Sequence, residues 1–89
     1  MTPDEVCVSY ADRNVKVTCR LLDDFVLLEG DRDSLKFLGE LLLAQAGDER
    51  SCKKSIGPNS AGNVFFTGES NLGIYIHRLP CEDAEIGAE

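Results

Sequence analysis

Between Asp24 and Gly47 the chain reads as an apolar strand running directly into a capped helix, and this stretch restricts the fold more than any other. Phe25-Val26-Leu27-Leu28 is a continuous apolar run bounded by Asp23-Asp24 and by Gly30. It is too short for a helix, so it predicts a buried strand. Asp31 stands where an N-cap belongs, its carboxylate placed to accept unpaired backbone N–H groups of the first turn. Asp33 adds negative charge at the positive end of the helix dipole. Gly47 occupies the place of a left-handed C-terminal cap, followed by the polar run Asp48-Glu49-Arg50.

Between the caps the period is helical. At about 100° per residue, Leu35, Leu38, Leu41, Leu42, Gln45 and Ala46 share one stripe, and Phe37 and Ala44 widen it. Lys36 and Glu40 lie on the polar side, with Leu43 exposed between them. An apolar arc this wide calls for cover beyond a sheet alone, from a loop or a second subunit. Gly39 costs roughly 1 kcal/mol relative to Ala in mid-helix, which a close backbone approach would explain.

Upstream, Val6, Val8 and Tyr10 alternate with Cys7 and Ser9, the pattern of a strand. Val15, Val17, Cys19 and Leu21 alternate with Lys16, Thr18 and Arg20 and predict a second strand. Ala11-Asp12-Arg13-Asn14 suits a four-residue hairpin loop, with Asn14 able to turn left-handed. Opposing Tyr10 to Val15, Val8 to Val17 and Val6 to Cys19 matches the apolar faces. That register puts Cys19 in the core and Cys7 on the other face, and argues against a Cys7–Cys19 disulfide.

Asp23-Asp24 turns the chain again. Pairing Leu22 with Phe25 puts Leu21, Val26 and Leu28 with the first apolar face. Leu22, Phe25 and Leu27 then fall on the opposite face, which an antiparallel sheet would normally make polar. Two readings stand: a loop or the C-terminal tail folds over them, or they form a partner or dimer surface.

Past the helix, residues 51–56 form a weak strand candidate and residues 57–63 a loop. Val64-Phe65-Phe66-Thr67 is a short strand or an apolar plug in a longer loop. Residues 68–71 form a turn, and residues 72–79 a strand with Leu72, Ile74 and Ile76 on one face. Pro80 ends it, and residues 81–89, with four acidic residues, read as a disordered acidic tail after a single domain over 1–80. The expected fold is therefore α+β: a two-layer domain with an antiparallel sheet of about five strands in the order β-β-β-α-β-β and one helix packed on it.

Eighty-nine residues with 43% hydrophobic content suit one packed domain. The net charge of −7 disfavours nucleic acid, since phosphate binding needs a basic field; it suits solubility or a basic protein partner. The acidic opening Met1-Thr2-Pro3-Asp4-Glu5 lacks the pattern of a secretion signal. No apolar run approaches the ~18 residues of a membrane span, so the expected location is cytoplasmic, with no membrane partner. Cys7, Cys19, Cys52 and Cys81 include no C-x-x-C pair, and reduced structural thiols are the default, with one or two disulfides the lesser alternative.

Chemistry is sparse. His77, the one histidine in the chain, shares a strand face with Tyr75, and Cys81 lies just past Pro80. One His with scattered Cys has no recognisable metal spacing, and no Cys–His nucleophile pair is favoured. The Gly57–Gly62 loop lacks the G-K-[ST] ending of a phosphate loop. Arg50, Lys53 and Lys54 form a basic cluster that balances neighbouring acids. Asp23 with Asp24 and Asp31 with Asp33 are explained by turn and cap roles. No catalytic residue, cofactor or metal is expected, and the chain is read as not an enzyme.

Two motifs go further. FVLLEGDRDSLKFLGELLLAQA is an apolar strand, Gly-Asp, and a Leu-rich helix opening with Ser-Leu; GESNLGIYIHRL is a turn and an apolar strand ending in Arg. Together they resemble the Immunity-protein-32 family of small bacterial proteins, over about residues 15 to 79. Where that family carries a His-bearing strand ending in Asp-Pro, this chain reads Lys-Lys-Ser-Ile-Gly-Pro, without the histidine. The resemblance implies a non-enzymatic cytoplasmic domain that masks a toxin of a polymorphic toxin system. An acidic surface would steer a basic toxin domain, and Leu22, Phe25 and Leu27 would anchor it. The alternative is a structural homodimer that buries the same patch against a second copy.

Overall fold

The computed structural model describes residues 1–81. In chain order it contains α1 (Pro3–Tyr10), β1 (Thr18–Leu22), β2 (Phe25–Glu29), α2 (Arg32–Ala46), β3 (Lys53–Ile56), a 3₁₀ turn (Asn63–Phe65) and β4 (Ile74–His77). The protein is a small α+β fold. The expectation of a disordered tail over 81–89 falls outside the described residues from 82 onward.

The first segment is a helix, not a strand. The Glu5 N–H donates to Thr2 Oγ1 at 3.2 Å, and the Thr2 N–H donates to Glu5 Oε1 at 2.7 Å. Pro3 follows the cap, where its missing N–H costs nothing. Val6 and Tyr10, spaced i and i+4, share the buried face, while Val8 is 74% exposed. The pairing of Tyr10, Val8 and Val6 with Val15, Val17 and Cys19 therefore does not form, and α1 packs on α2 instead. Asn14 does turn left-handed, at φ 57°.

α2 keeps its expected start. Asp31 caps it, with the Ser34 N–H donating to Asp31 Oδ1 at 2.9 Å. Gly47 closes it with φ −100°, not in the left-handed region. The buried face is Ser34, Phe37, Leu38, Leu41 and Gln45. It is rotated from the expected stripe, because α1 covers the side that Phe37 and Leu41 occupy. Leu35, Leu42 and Ala46 are exposed. Phe37 is the centre of the core, with its ring 5.3 Å from that of Tyr10 and 4.5 Å from that of Phe65.

In place of one sheet of about five strands, the strands among the described residues form two antiparallel pairs, β1–β2 and β3–β4. The segment after β3 explains the split. Val64 to Thr67 is the apolar plug: its 3₁₀ turn drives Phe65 and Phe66 into the core. Val17 bridges Phe66 in parallel. Beyond it the outer edge of β1 is satisfied by turn residues rather than by a strand. The Cys19 N–H donates to Ser70 Oγ at 3.0 Å, and the N–H groups of Asn71 and Leu72 donate to the Cys19 carbonyl. Gly73 then passes Ile56 closely; a Cβ there would stand 2.9 Å from the Ile56 carbonyl oxygen. Among the described residues no helix is long and apolar enough to cross a membrane.

Candidate functional site

The β1–β2 hairpin has the expected register, with Leu22 opposite Phe25 and Leu21 opposite Val26 across the Asp23-Asp24 turn. Asp23 takes φ 56°, a left-handed value that an Asp tolerates at a turn. On one face Leu22 is 43% and Phe25 72% exposed, with Leu27 half-buried. Neither a loop nor another element among the described residues folds over Leu22 and Phe25.

The other face was expected to join the core, and here the structure differs. Leu21, Val26 and Leu28 are all exposed. Cys19, one pair further from the turn, is buried, so the face points inward but its outer part lacks cover. With no third strand beside β2 among the described residues and with β3–β4 standing apart, an apolar groove of about 240 Å³ opens between the elements. Val26 and Leu28 form one wall, Leu42 of α2 another, and Ile74 and Ile76 of β4 the third. The hairpin thus presents large apolar side chains on both faces, and among the described residues the outer edge of β2 pairs with no strand.

Asp23 and Asp24 form the tip of the hairpin, and Asp31 caps α2 just past the other end of β2. The Ser34 backbone N–H, followed by the Ser34 hydroxyl, holds the Asp31 carboxyl below its ordinary value, so it stays ionised in mild acid.

Compared with family models, curated proteins and solved structures, the chain matches none.

A second cluster lies at the opposite end of β3–β4. Lys53 pairs with His77 at that end of the ladder and Ile56 with Ile74 at the groove end. One step beyond the pair, the Arg78 N–H donates to the Cys52 carbonyl at 2.8 Å. The chain then turns through the cis Leu79–Pro80 bond and brings Cys81 to Cys52. The two form a disulfide with Cα atoms 6.0 Å apart, in place of the expected reduced thiols. Cys7 and Cys19 are not bonded to each other, although the strand pairing that argued against their bond does not form, because Cys7 lies on α1. Burial pushes both of these thiols up, so they stay protonated and unreactive near neutral pH.

His77 completes the cluster. A ligand atom from each of Cys52, His77 and Cys81 lies within 4.8 Å of the others. His77 Nε2 is buried and has no hydrogen-bond partner among the described residues, so it is not a satisfied structural histidine. Sequence reading missed this site because Cys52 is 29 residues from Cys81 and only β3–β4 pairing joins them. The usable signal is local: His77 and Cys81 flank a Leu-Pro turn at the end of a strand.

Proposed function

We propose that this chain is a non-enzymatic protein-binding domain whose β1–β2 hairpin and adjoining groove seat a basic protein partner. The observation that carries the reading is the uncovered hairpin, apolar on both faces, with Phe25 72% exposed at its end. Soluble monomers rarely expose contiguous apolar patches larger than a few hundred Å² without a binding role. Phe25 and Leu22 have the size of interface anchors, and the net charge of −7 favours encounter with a basic surface. In the setting implied by the resemblance to bacterial immunity proteins, the partner is a toxin domain whose active site is masked stoichiometrically. The cytoplasm is the matching location.

A second reading is self-association through the unpaired edge of β2, which offers a ladder for another strand. Light scattering over a range of concentrations separates the two: a strict monomer excludes the homodimer. For the leading reading the test is a comparison of Phe25→Asp with the parent. The exposed position should tolerate the change without loss of fold. Partner capture from native cells should drop by at least about tenfold, the loss that removing one anchor of about 1.4 kcal/mol or more produces. Equal capture by a folded Phe25→Asp protein removes the hairpin from the interface.

A further inference from the structure

The Cys52–His77–Cys81 cluster lies at the far end of β3–β4 from the apolar groove and does not depend on the binding role proposed above. We propose that in the reduced protein Cys52, His77 and Cys81 form a three-ligand site for a thiophilic divalent cation such as Zn²⁺, with the fourth coordination position open to solvent.

The donor set is two sulfurs and an imidazole nitrogen, a combination that selects zinc-like ions over Mg²⁺ or Ca²⁺. Their mutual separation, within 4.8 Å, is close to what such an ion needs. Tetrahedral ligands at zinc's bond lengths stand roughly 3.6–3.8 Å apart, so side-chain rotations suffice once the sulfurs part. His77 Nε2 is already desolvated and unpaired, which costs stability unless something binds it. A cation bound through Nε2 would supply that partner.

The scaffold is fixed before the ion arrives. Cys52 and His77 are held by the β3–β4 register and the Arg78 to Cys52 hydrogen bond. Arg78 is itself tied down, donating to the Asp48 carbonyl at 2.9 Å. Next to the sulfurs a cavity of about 440 Å³, lined by Glu49, Arg50, Ser51 and Arg78, gives entry and room for a solvent ligand.

The disulfide and the cation are alternative occupants of the same sulfurs. A phosphine gives two electrons to the S–S bond and is oxidised to the phosphine oxide with the oxygen of a water molecule, whose two protons go to the two sulfurs to leave two thiols. Binding of the cation displaces those two protons and forms two metal–sulfur bonds and one metal–nitrogen bond.

The test uses the full chain, reduced with a phosphine and freed of it anaerobically, with Co²⁺ as a spectroscopic probe. One equivalent should produce a thiolate-to-cobalt charge-transfer band and the visible bands of four-coordinate Co²⁺, both bleached by Zn²⁺. His77→Ala should weaken binding by more than about tenfold, since losing even a residue that merely orients a ligand costs on that order. Cys52→Ser or Cys81→Ser should abolish the charge-transfer band. Absence of the band in the parent overturns the proposal, as does a band unchanged in Cys52→Ser or His77→Ala. A second measurement needs no variant. Zn²⁺ should slow alkylation of Cys52 and Cys81 in the reduced parent and leave Cys7 and Cys19 unaffected. Equal rates with and without Zn²⁺ overturn the site.

Discussion

Asp31 shows how one side chain sets a pH dependence. Its carboxylate accepts the Ser34 N–H at the start of α2 and holds a pKa below the ordinary 3.8. Folded protein therefore binds this proton less readily than unfolded chain does. The stabilisation is fully present above the unfolded value and is lost as pH falls through the lower folded value. Asp4, held down by its hydrogen bond and charge contact with Lys54, and Glu5, held down by the Thr2 N–H, act in the same direction. Asp31→Asn keeps a good cap and should leave the neutral-pH melting temperature nearly unchanged while flattening its decline below about pH 4. Thermal melts across pH 2.5–7 check this; an unchanged acid slope refutes the cap's part in it. At this scale much was legible. Asp31 as a cap and Asn14 as a left-handed turn residue follow from short-range chemistry, whereas Cys19 is buried as expected although the pairing with Val6 that placed it there does not form. The role of His77 was not, since its surroundings come from residues distant in sequence.

For the elements, the contrast between the two helices is instructive. α2 was readable because caps and a long 3.6-residue period agree. α1 carries an equally good signature in Thr2-Pro3-Asp4-Glu5, but Val6, Val8 and Tyr10 also fit a two-residue period over its short length. Burial decides the matter: Val6 and Tyr10 face α2 and Val8 faces solvent. The face of α2 could not be placed from its own sequence either, because α1 determines which side is covered. Gly39 has a definite consequence. A Cβ there would meet nothing within 4 Å, so no close approach requires glycine. Gly39→Ala should stabilise the protein by up to about 1 kcal/mol, by the difference in helix propensity, as read from the urea midpoint. A destabilised Gly39→Ala protein would contradict the open surroundings of this position.

For the whole molecule, the strand count was nearly readable and the sheet arrangement was not. The β1–β2 hairpin follows from neighbouring sequence, whereas β3 and β4 pair across residues 57–73. Whether hairpins join into one sheet depends on what lies along β1, and there the Phe65–Phe66 plug and the Ser70 hydroxyl take the place of a strand. The same substitution leaves the far half of β1–β2 without a packing layer. Its free energy of local opening should consequently lie well below that of global unfolding. In a hydrogen-exchange experiment, amides from Leu21 to Val26 should exchange by sub-global opening, and those around Phe37 and Leu41 only when the whole domain unfolds. Uniform protection across both regions would contradict this. A partner that seats on the hairpin would raise the slow limit of just those amides, so the least protected part of the free protein is also where its binding footprint should be easiest to read.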